Sequence, residues 1–355
     1  MSAPSPRIRV GRRLIGEGTP VFVVAEVGVN HNGDPDLARQ LIDHATAAGA
    51  DAVKFQTFRS AALVSREAPK AAYQVETTGA AEGQREMLAR LELDPAEHAE
   101  LLKYCAKRGI LFFSSPFDEA SVDALDALGV TLFKVPSGEI TNHGFLRHVA
   151  SKGKPVIVST GMSTLDEVAA AVAAIRDGGD PPLALLHCVS AYPAPVEEMN
   201  LRAMDTLRER FGRPVGLSDH TLGIEIAIAA VARGAAIVEK HVTLDKRLPG
   251  PDHRASLEPE EFRNLVRAIR AVEAALGDGE KRPTRSEADT RRVARKSLVA
   301  ARAIGAGQRL TADLVTIKRP GTGIPPGDLE RALGRTVVRD LAADEVIDWA
   351  VLGGA

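Results

Sequence analysis

Eight short apolar runs, each ending in glycine or polar residues and each followed by an amphipathic stretch, recur along most of the chain. They read as strands at 21–28, 51–57, 111–115, 131–137, 155–161, 183–190, 214–220 and 236–243. The intervening segments 36–48, 95–108, 164–176 and 224–233 carry apolar residues at helical spacing, as in Leu37, Leu41 and Ile42 or Val168, Val172 and Ile175. Strand alternating with helix implies a parallel sheet, and near-continuous apolar runs imply strands covered on both faces. Eight such repeats match the roughly 250 residues of a closed (β/α)8 TIM barrel. An open doubly wound sheet is the alternative, but it expects a glycine-rich fingerprint after its first strand, which residues 28–33 (Gly-Val-Asn-His-Asn-Gly) do not supply.

Helix boundaries are marked chemically. Asp34-Pro35 and Asp94-Pro95 pair an N-cap with a first-turn proline, Ser163 with Asp166 or Glu167 offers a capping box, and Gly49 and Gly109 close two helices. Segment 58–93 holds few periodic signals; a long connection after the second strand is expected to rise over the barrel mouth as a lid. After Leu276 the chain turns charged and apolar-poor, so 277–294 reads as a linker between a barrel domain, 1–276, and a small β-rich domain, 295–355. At about 60 residues the latter is near the lower limit for standing alone and is expected to pack on something.

A formal charge of -2 with interspersed signs argues against nucleic acid. No run approaches the ~20 apolar residues of a membrane span, and the basic N-terminus lacks the apolar core of a signal peptide, so a soluble, cytoplasmic protein is expected. Cys105 and Cys188 sit in apolar runs and read as small buried hydrophobes.

In such a barrel the reactive groups belong at strand C-termini. The strand ends here carry Glu26; Lys54 and Gln56; Ser114 and Ser115; Lys134, Ser137 and Glu139; Ser159; His187, Ser190 and Tyr192; Ser218, Asp219 and His220; and Glu239, Lys240 and His241. Each alone has a structural explanation, but together they place groups that are costly to bury at one end of every strand. Lys54 and Lys134 with the hydroxyls make a phosphate and carboxylate cradle. His220 and His241, on the last two strands, would hold a divalent cation with water and substrate oxygens. Glu26 and Glu139 offer carboxylates for proton transfer, and the loop 249–254 would aim Asp252 at substrate hydroxyls.

Read in order, residues 25–33 (AEVGVNHNG), 49–58 (GADAVKFQTF), 133–139 (FKVPSGE), 158–162 (VSTGM), 216–221 (GLSDHT), 239–245 (EKHVTLD) and 250–259 (GPDHRASLEP) resemble the sialic acid synthase family. Residues 295–300 and 318–324 resemble the antifreeze-like SAF domain, of β-clip type, that these enzymes carry. The resemblance implies condensation of phosphoenolpyruvate with an N-acyl amino sugar of N-acetylmannosamine type, giving N-acetylneuraminate or a related acid and phosphate. By it, Lys54, Ser115, Lys134, Ser137, Ser159 and Ser218 hold phosphoenolpyruvate, with Ser190 near the phosphate. His220 and His241 bind Mn2+ or Mg2+; Glu26 moves a proton at the sugar's aldehyde oxygen, and Glu139 lies near the water that adds to C2. Gln56, Tyr192 and Asp252 face the sugar, while Arg319 reaches in from the partner of a domain-swapped homodimer. The family often has asparagine where Ser190 stands and threonine where Ser115 stands; serine keeps hydrogen-bonding capacity at both. Legionaminic acid synthase is the alternative within the family, a 9-phosphate-forming enzyme is a weaker one, and a non-catalytic sugar-binding protein is the alternative outside it.

Overall fold

The eight apolar runs become the eight strands of one sheet in a computed structural model that describes residues 7–354. They are β3 (Phe22–Gly28), β4 (Ala52–Thr57), β5 (Leu111–Pro116), β6 (Phe133–Val135), β7 (Val156–Ser159), β8 (Leu183–Cys188), β9 (Val215–Asp219) and β10 (Ile237–His241), preceded by a hairpin of β1 (Ile8–Val10) and β2 (Arg13–Ile15). The barrel strands pair in parallel in the order β5-β4-β3-β10-β9-β8-β7-β6, and the end strands β5 and β6 pack against each other to close the ring. This is the expected (β/α)8 barrel. Contacts divide the chain between Gly277 and Asp278 into two compact units, the barrel being the first.

Several strands stop short of their apolar runs. The run 131–137 yields only Phe133–Val135, because Pro136 has no N–H to continue the ladder, and Ser137–Glu139 forms a single 3-10 turn. The helices start where chemistry dictates: Asp34 accepts from the Asp36 N–H and Asp94 from the Glu97 N–H, each with proline at the first position. One cap is displaced by a residue. Thr164, not Ser163, accepts the Glu167 N–H, since Ser163 Oγ is turned back to the Gly161 carbonyl.

The hairpin was not legible in the basic N-terminus, yet its buried face is apolar. Ile8, Val10 and Ile15 join Phe22, Phe113, Leu132, Ile157 and Ile237, all near strand starts or the barrel interior, in one buried cluster. The N-terminal end is thereby plugged with hydrocarbon, while a larger cluster packs the helices on the outer face of the sheet. Polar groups therefore have one place left, the C-terminal mouth.

Segment 58–93 is not a plain loop. It holds three short helices, Ser60–Leu63, Ala72–Thr78 and Gln84–Ala89, none with a side-chain-capped start, and buries Phe58, Met87, Leu91 and Leu93.

The second unit pairs β11 (Ser297–Ala300) with β12 (Val315–Lys318) antiparallel, extended by isolated bridges such as Val299 with Val346 and Val337 with Leu352. It has its own core, including Leu298, Ile304, Leu310, Ile324, Val337 and Ile347. Residues 288–294, within the stretch read as linker, form a short helix.

Candidate active site at the barrel mouth

Strand alternation sorts the polar strand ends. On β10, Glu239 and His241 face inward and Lys240 outward; on β9, Ser218 faces inward and Asp219 outward. The outward pair is structural: Lys240 Nζ donates to Asp219 Oδ2 at 2.8 Å, and both side chains are fully buried. The inward groups line a cavity of about 480 Å3 together with Glu26, Lys54, Gln56, Ser115, Lys134, Ser137, Ser159, Ser190, Tyr192, His220 and Asp252. Of the residues given a catalytic, substrate or metal role in the barrel, Glu139 is missing from this wall. Its carboxylate accepts from Asn142 Nδ2 at 2.9 Å in the partly exposed turn after β6. Arg319 belongs to the second unit.

The centre of the cavity is one carboxylate between two ammonium groups. Glu239 Oε1 lies 3.3 Å from Lys54 Nζ and 3.4 Å from Lys134 Nζ, and accepts from Ser218 Oγ at 3.0 Å. Burial opposes its charge, but Lys134, Lys54 and the Ser218 hydroxyl prevail and bring its pKa down to about 2. Burial likewise opposes the Lys54 charge and is outweighed by Glu239 and Glu26, whereas at Lys134 burial wins and the pKa falls. Lys54 also donates to Ser115 Oγ at 3.2 Å, and Lys134 to Ser159 Oγ at 2.7 Å. Each serine oxygen thus receives a hydrogen bond from a lysine, which leaves its own hydrogen free for an incoming anion. Ser137 Oγ accepts from the Gly161 N–H at 3.0 Å. A Cβ at residue 161 would stand 2.3 Å from Ser190 Oγ and 2.8 Å from Ser137 Oγ, so a side chain there would push both hydroxyls from their places.

Beside this cradle lies a second group with unused capacity. Glu26 Oε1 is 3.1 Å from Lys54 Nζ and receives Gln56 Nε2 at 3.3 Å, but the buried Oε2 has no partner among the described residues. Burial, aided by neighbouring Glu239, raises Glu26 to about 7 against the pull of the lysines. His220 and His241 have ring centroids 5.4 Å apart. His220 Nδ1–H donates to the Val189 carbonyl at 2.8 Å, which in the neutral ring puts the lone pair on Nε2, and His241 Nδ1 is buried without a partner among the described residues. Two imidazoles and an orphan carboxylate oxygen are the donor chemistry a divalent cation takes. No three His, Cys, Asp or Glu side chains converge at coordination distance among the described residues, so water or substrate would complete the shell.

Glu239 was placed at a strand end but given no role, and the lining residues Cys188, Tyr73, Gln74 and Gln84 escaped the sequence reading of the site. Glu239 was recoverable, since it stands two residues before His241 on the same strand and must share its face. Cys188 sits at the wall with its sulfur 3.9 Å from His220 Nδ1, so it is not merely core filling. Tyr73 and Gln74 arrive on the helix Ala72–Thr78, which no periodicity announced. His187 and Ser114 turn away: His187 Nε2 donates to the Met199 carbonyl, and Ser114 Oγ bonds Thr57.

Comparison with known proteins gives the same picture independently. Residues 41–281 match the model of the NeuB family, and residues 295–352 match the SAF domain. N,N'-diacetyllegionaminic acid synthase of Legionella pneumophila is 45% identical over 94% of this chain and 95% of its own. Its counterpart from Campylobacter jejuni is 46% identical over 92% of this chain and 98% of its own. The crystal structure of N-acetylneuraminic acid (sialic acid) synthetase from Leptospira borgpetersenii, in complex with citrate, superposes with a TM-score of 0.71 at 37% identity, covering 81% of this chain and 95% of that one. A barrel mouth with two lysines, two histidines and a serine ring, followed by a SAF domain, is thus carried by a chain that belongs to the NeuB family.

Proposed function

We propose that the chain is a phosphoenolpyruvate-dependent nonulosonic acid synthase: it joins phosphoenolpyruvate to an N-acyl amino sugar and water, giving a sialic acid-type product and phosphate. The observation that carries this reading is the pair of buried lysines sharing the Glu239 carboxylate, flanked by the Ser115 and Ser159 hydroxyls, whose hydrogens are free. Such a centre is short of negative charge, and a phosphate with an adjacent carboxylate supplies it.

In this reading Lys54, Lys134, Ser115, Ser159 and the Ser137–Gly161 turn hold phosphoenolpyruvate, while Gln56, Tyr192 and Asp252 receive the sugar. His220 and His241 would hold a divalent cation, Mn2+ or Mg2+, which when bound supplies Lewis-acid polarisation of a carbonyl oxygen. As C3 of phosphoenolpyruvate bonds to the aldehyde carbon, Glu26 hands its proton to the oxygen that becomes a hydroxyl. A pKa about 7 leaves that proton both present and transferable near neutrality. Water then adds at C2 and passes a proton to the Glu26 carboxylate, restoring its acid form, and the new C2 hydroxyl gives its proton to the departing phosphate as C2=O forms and the C2–O bond breaks. The lysines and serines already surround the leaving group, so its charge is stabilised without reorganisation.

A second acceptor, the diacetamido 6-deoxy sugar of legionaminic acid synthesis, is favoured by one feature of the cavity. Part of its wall is apolar, built from Val29, Phe58, Leu63, Leu88 and Phe117, and suits acyl and deoxy methyl groups better than hydroxyls.

Incubation with phosphoenolpyruvate, Mn2+ and a panel of N-acyl hexosamines should release inorganic phosphate. Absence of release with every sugar would overturn the reading in favour of a non-catalytic binding protein. His220→Ala should abolish metal-dependent turnover; unaltered turnover removes the cation from that pair.

A further inference from the structure

The cavity has two ends of different chemistry. Its floor is the lysine and serine cradle on the strands; its roof comes from the segment 58–93. Tyr73 on that roof lies with its ring 5.0 Å from the ring of Tyr192, and Tyr192 lies 4.2 Å from His220. A row of tilted aromatic rings therefore runs from the roof to the imidazole pair, and the space alongside it is where a chain of sugar carbons would extend from its aldehyde.

Tyr73 is held in place by a polar network of its own. The buried amide of Gln74 donates to the Tyr73 hydroxyl at 3.4 Å, while its carbonyl oxygen receives the Ala71 N–H at 3.0 Å and Gln84 Nε2 at 3.2 Å. The Gln84 carbonyl oxygen is left with no partner among the described residues, on the cavity wall. The same helix is fastened to the loop that carries Asp252: Thr77 Oγ1 reaches the Pro251 carbonyl at 3.5 Å, and Glu76 faces Arg254 at 3.8 Å.

We propose that Tyr73, oriented by Gln74 and assisted by Gln84, selects the acceptor sugar by the substituents remote from its aldehyde. An aromatic face beside a free amide oxygen accommodates an acylamino group, with methyl on the ring and N–H to Gln84. A hydroxyl in the same place could donate to Gln84 as the N–H does, but would leave the ring face without the methyl contact, so the ring supplies the discrimination. This inference rests on the synthase reading and assigns its discrimination to the roof instead of to the strands.

The test compares two acceptors, N-acetylmannosamine and 2,4-diacetamido-2,4,6-trideoxymannose, in the full-length enzyme with saturating Mn2+. Tyr73→Ala should raise KM for the diacylated sugar by at least about tenfold and change KM for N-acetylmannosamine much less, as loss of one apolar contact does. KM for phosphoenolpyruvate should stay within about twofold, which also shows that the barrel is folded. Tyr73→Phe should restore the diacylated sugar's KM. An equal loss for both acceptors, a fall in kcat with both KM values unchanged, or a shifted KM for phosphoenolpyruvate would overturn this inference alone. Wild-type inactivity with both sugars would overturn the synthase reading and this inference with it.

Discussion

Glu26 and Glu239 are both buried glutamates within reach of the same Lys54, yet pH acts on them in opposite senses. Glu26 is raised to about 7 by burial, so the folded chain binds its proton more tightly than the unfolded chain does. Its contribution to stability is complete below the ordinary carboxylate pKa and is lost as pH rises through 7. Glu239 is brought down to about 2 by Lys134, Lys54 and Ser218 against the cost of burial. Its contribution is present above the ordinary value and is lost as pH falls toward 2. At pH 8, Glu26→Gln should leave thermal stability unchanged or higher. Glu239→Gln takes from the buried Lys134 ammonium its carboxylate and from Lys54 one of two, and should cost about 3–5 kcal/mol. Melting curves of both variants at that pH check this, and a loss of equal size in both would sink it. In activity the ranking reverses in kind: kcat should decline above pH 7 as Glu26 loses its proton. Glu26→Gln should lower kcat by roughly 10^2 to 10^4 with KM for phosphoenolpyruvate little changed, measured as phosphate release across pH 5 to 9.

At the scale of elements, the two-residue period of a strand decides which polar groups do chemistry. In the strings Ser218-Asp219-His220 and Glu239-Lys240-His241 the middle residue of each faces away from the barrel interior, and the two middle residues find each other. Lys240→Ala should destabilise the barrel by about 3–5 kcal/mol by leaving Asp219 without its counter-charge, held by the Thr221 N–H and hydroxyl, whereas Asp219→Asn with Lys240→Met, which keeps an acceptor for Thr221, should cost less. Turnover per folded molecule should be the same in the double variant and the wild type; a lost or altered KM for phosphoenolpyruvate would show that the pair shapes the site after all. This element was legible in composition but not in role: apolar runs and capping pairs located the strands and helices, since hydrophobic period and caps are local properties. The roof's place over the mouth was legible from the length of 58–93, but its helices were not, because at four to seven residues they are too short to show a period and are held by tertiary contacts such as Thr77 with Pro251. Tyr73 and Gln74 were missed for that reason. The N-terminal hairpin was missed for another: three buried apolar residues among several arginines carry too little signal until the barrel end they plug is known.

At the scale of the molecule, the chain is two compact units with separate cores, and the residue expected to meet the sugar's acyl group, Arg319, lies in the second. The resemblance assigns Arg319 to the partner's site, and a symmetric dimer makes that arrangement testable by complementation. Lys134→Ala disables the barrel cradle of its own subunit, and Arg319→Ala disables the arm. If the arm serves its own barrel, every subunit of a mixed population carries one defect in its one site, and no active site forms. If it serves the partner, a mixed dimer places the intact barrel of one subunit beneath the intact arm of the other. Random pairing makes half of the dimers mixed, each with one competent site of two, so co-expressed variants should recover roughly a quarter of wild-type phosphate release. Each variant purified alone should stay near background, which separates recovery from residual activity. Failure of the co-expressed pair to exceed that background, with mixed dimers demonstrated by differential tagging, would return Arg319 to its own subunit or remove it from the site altogether.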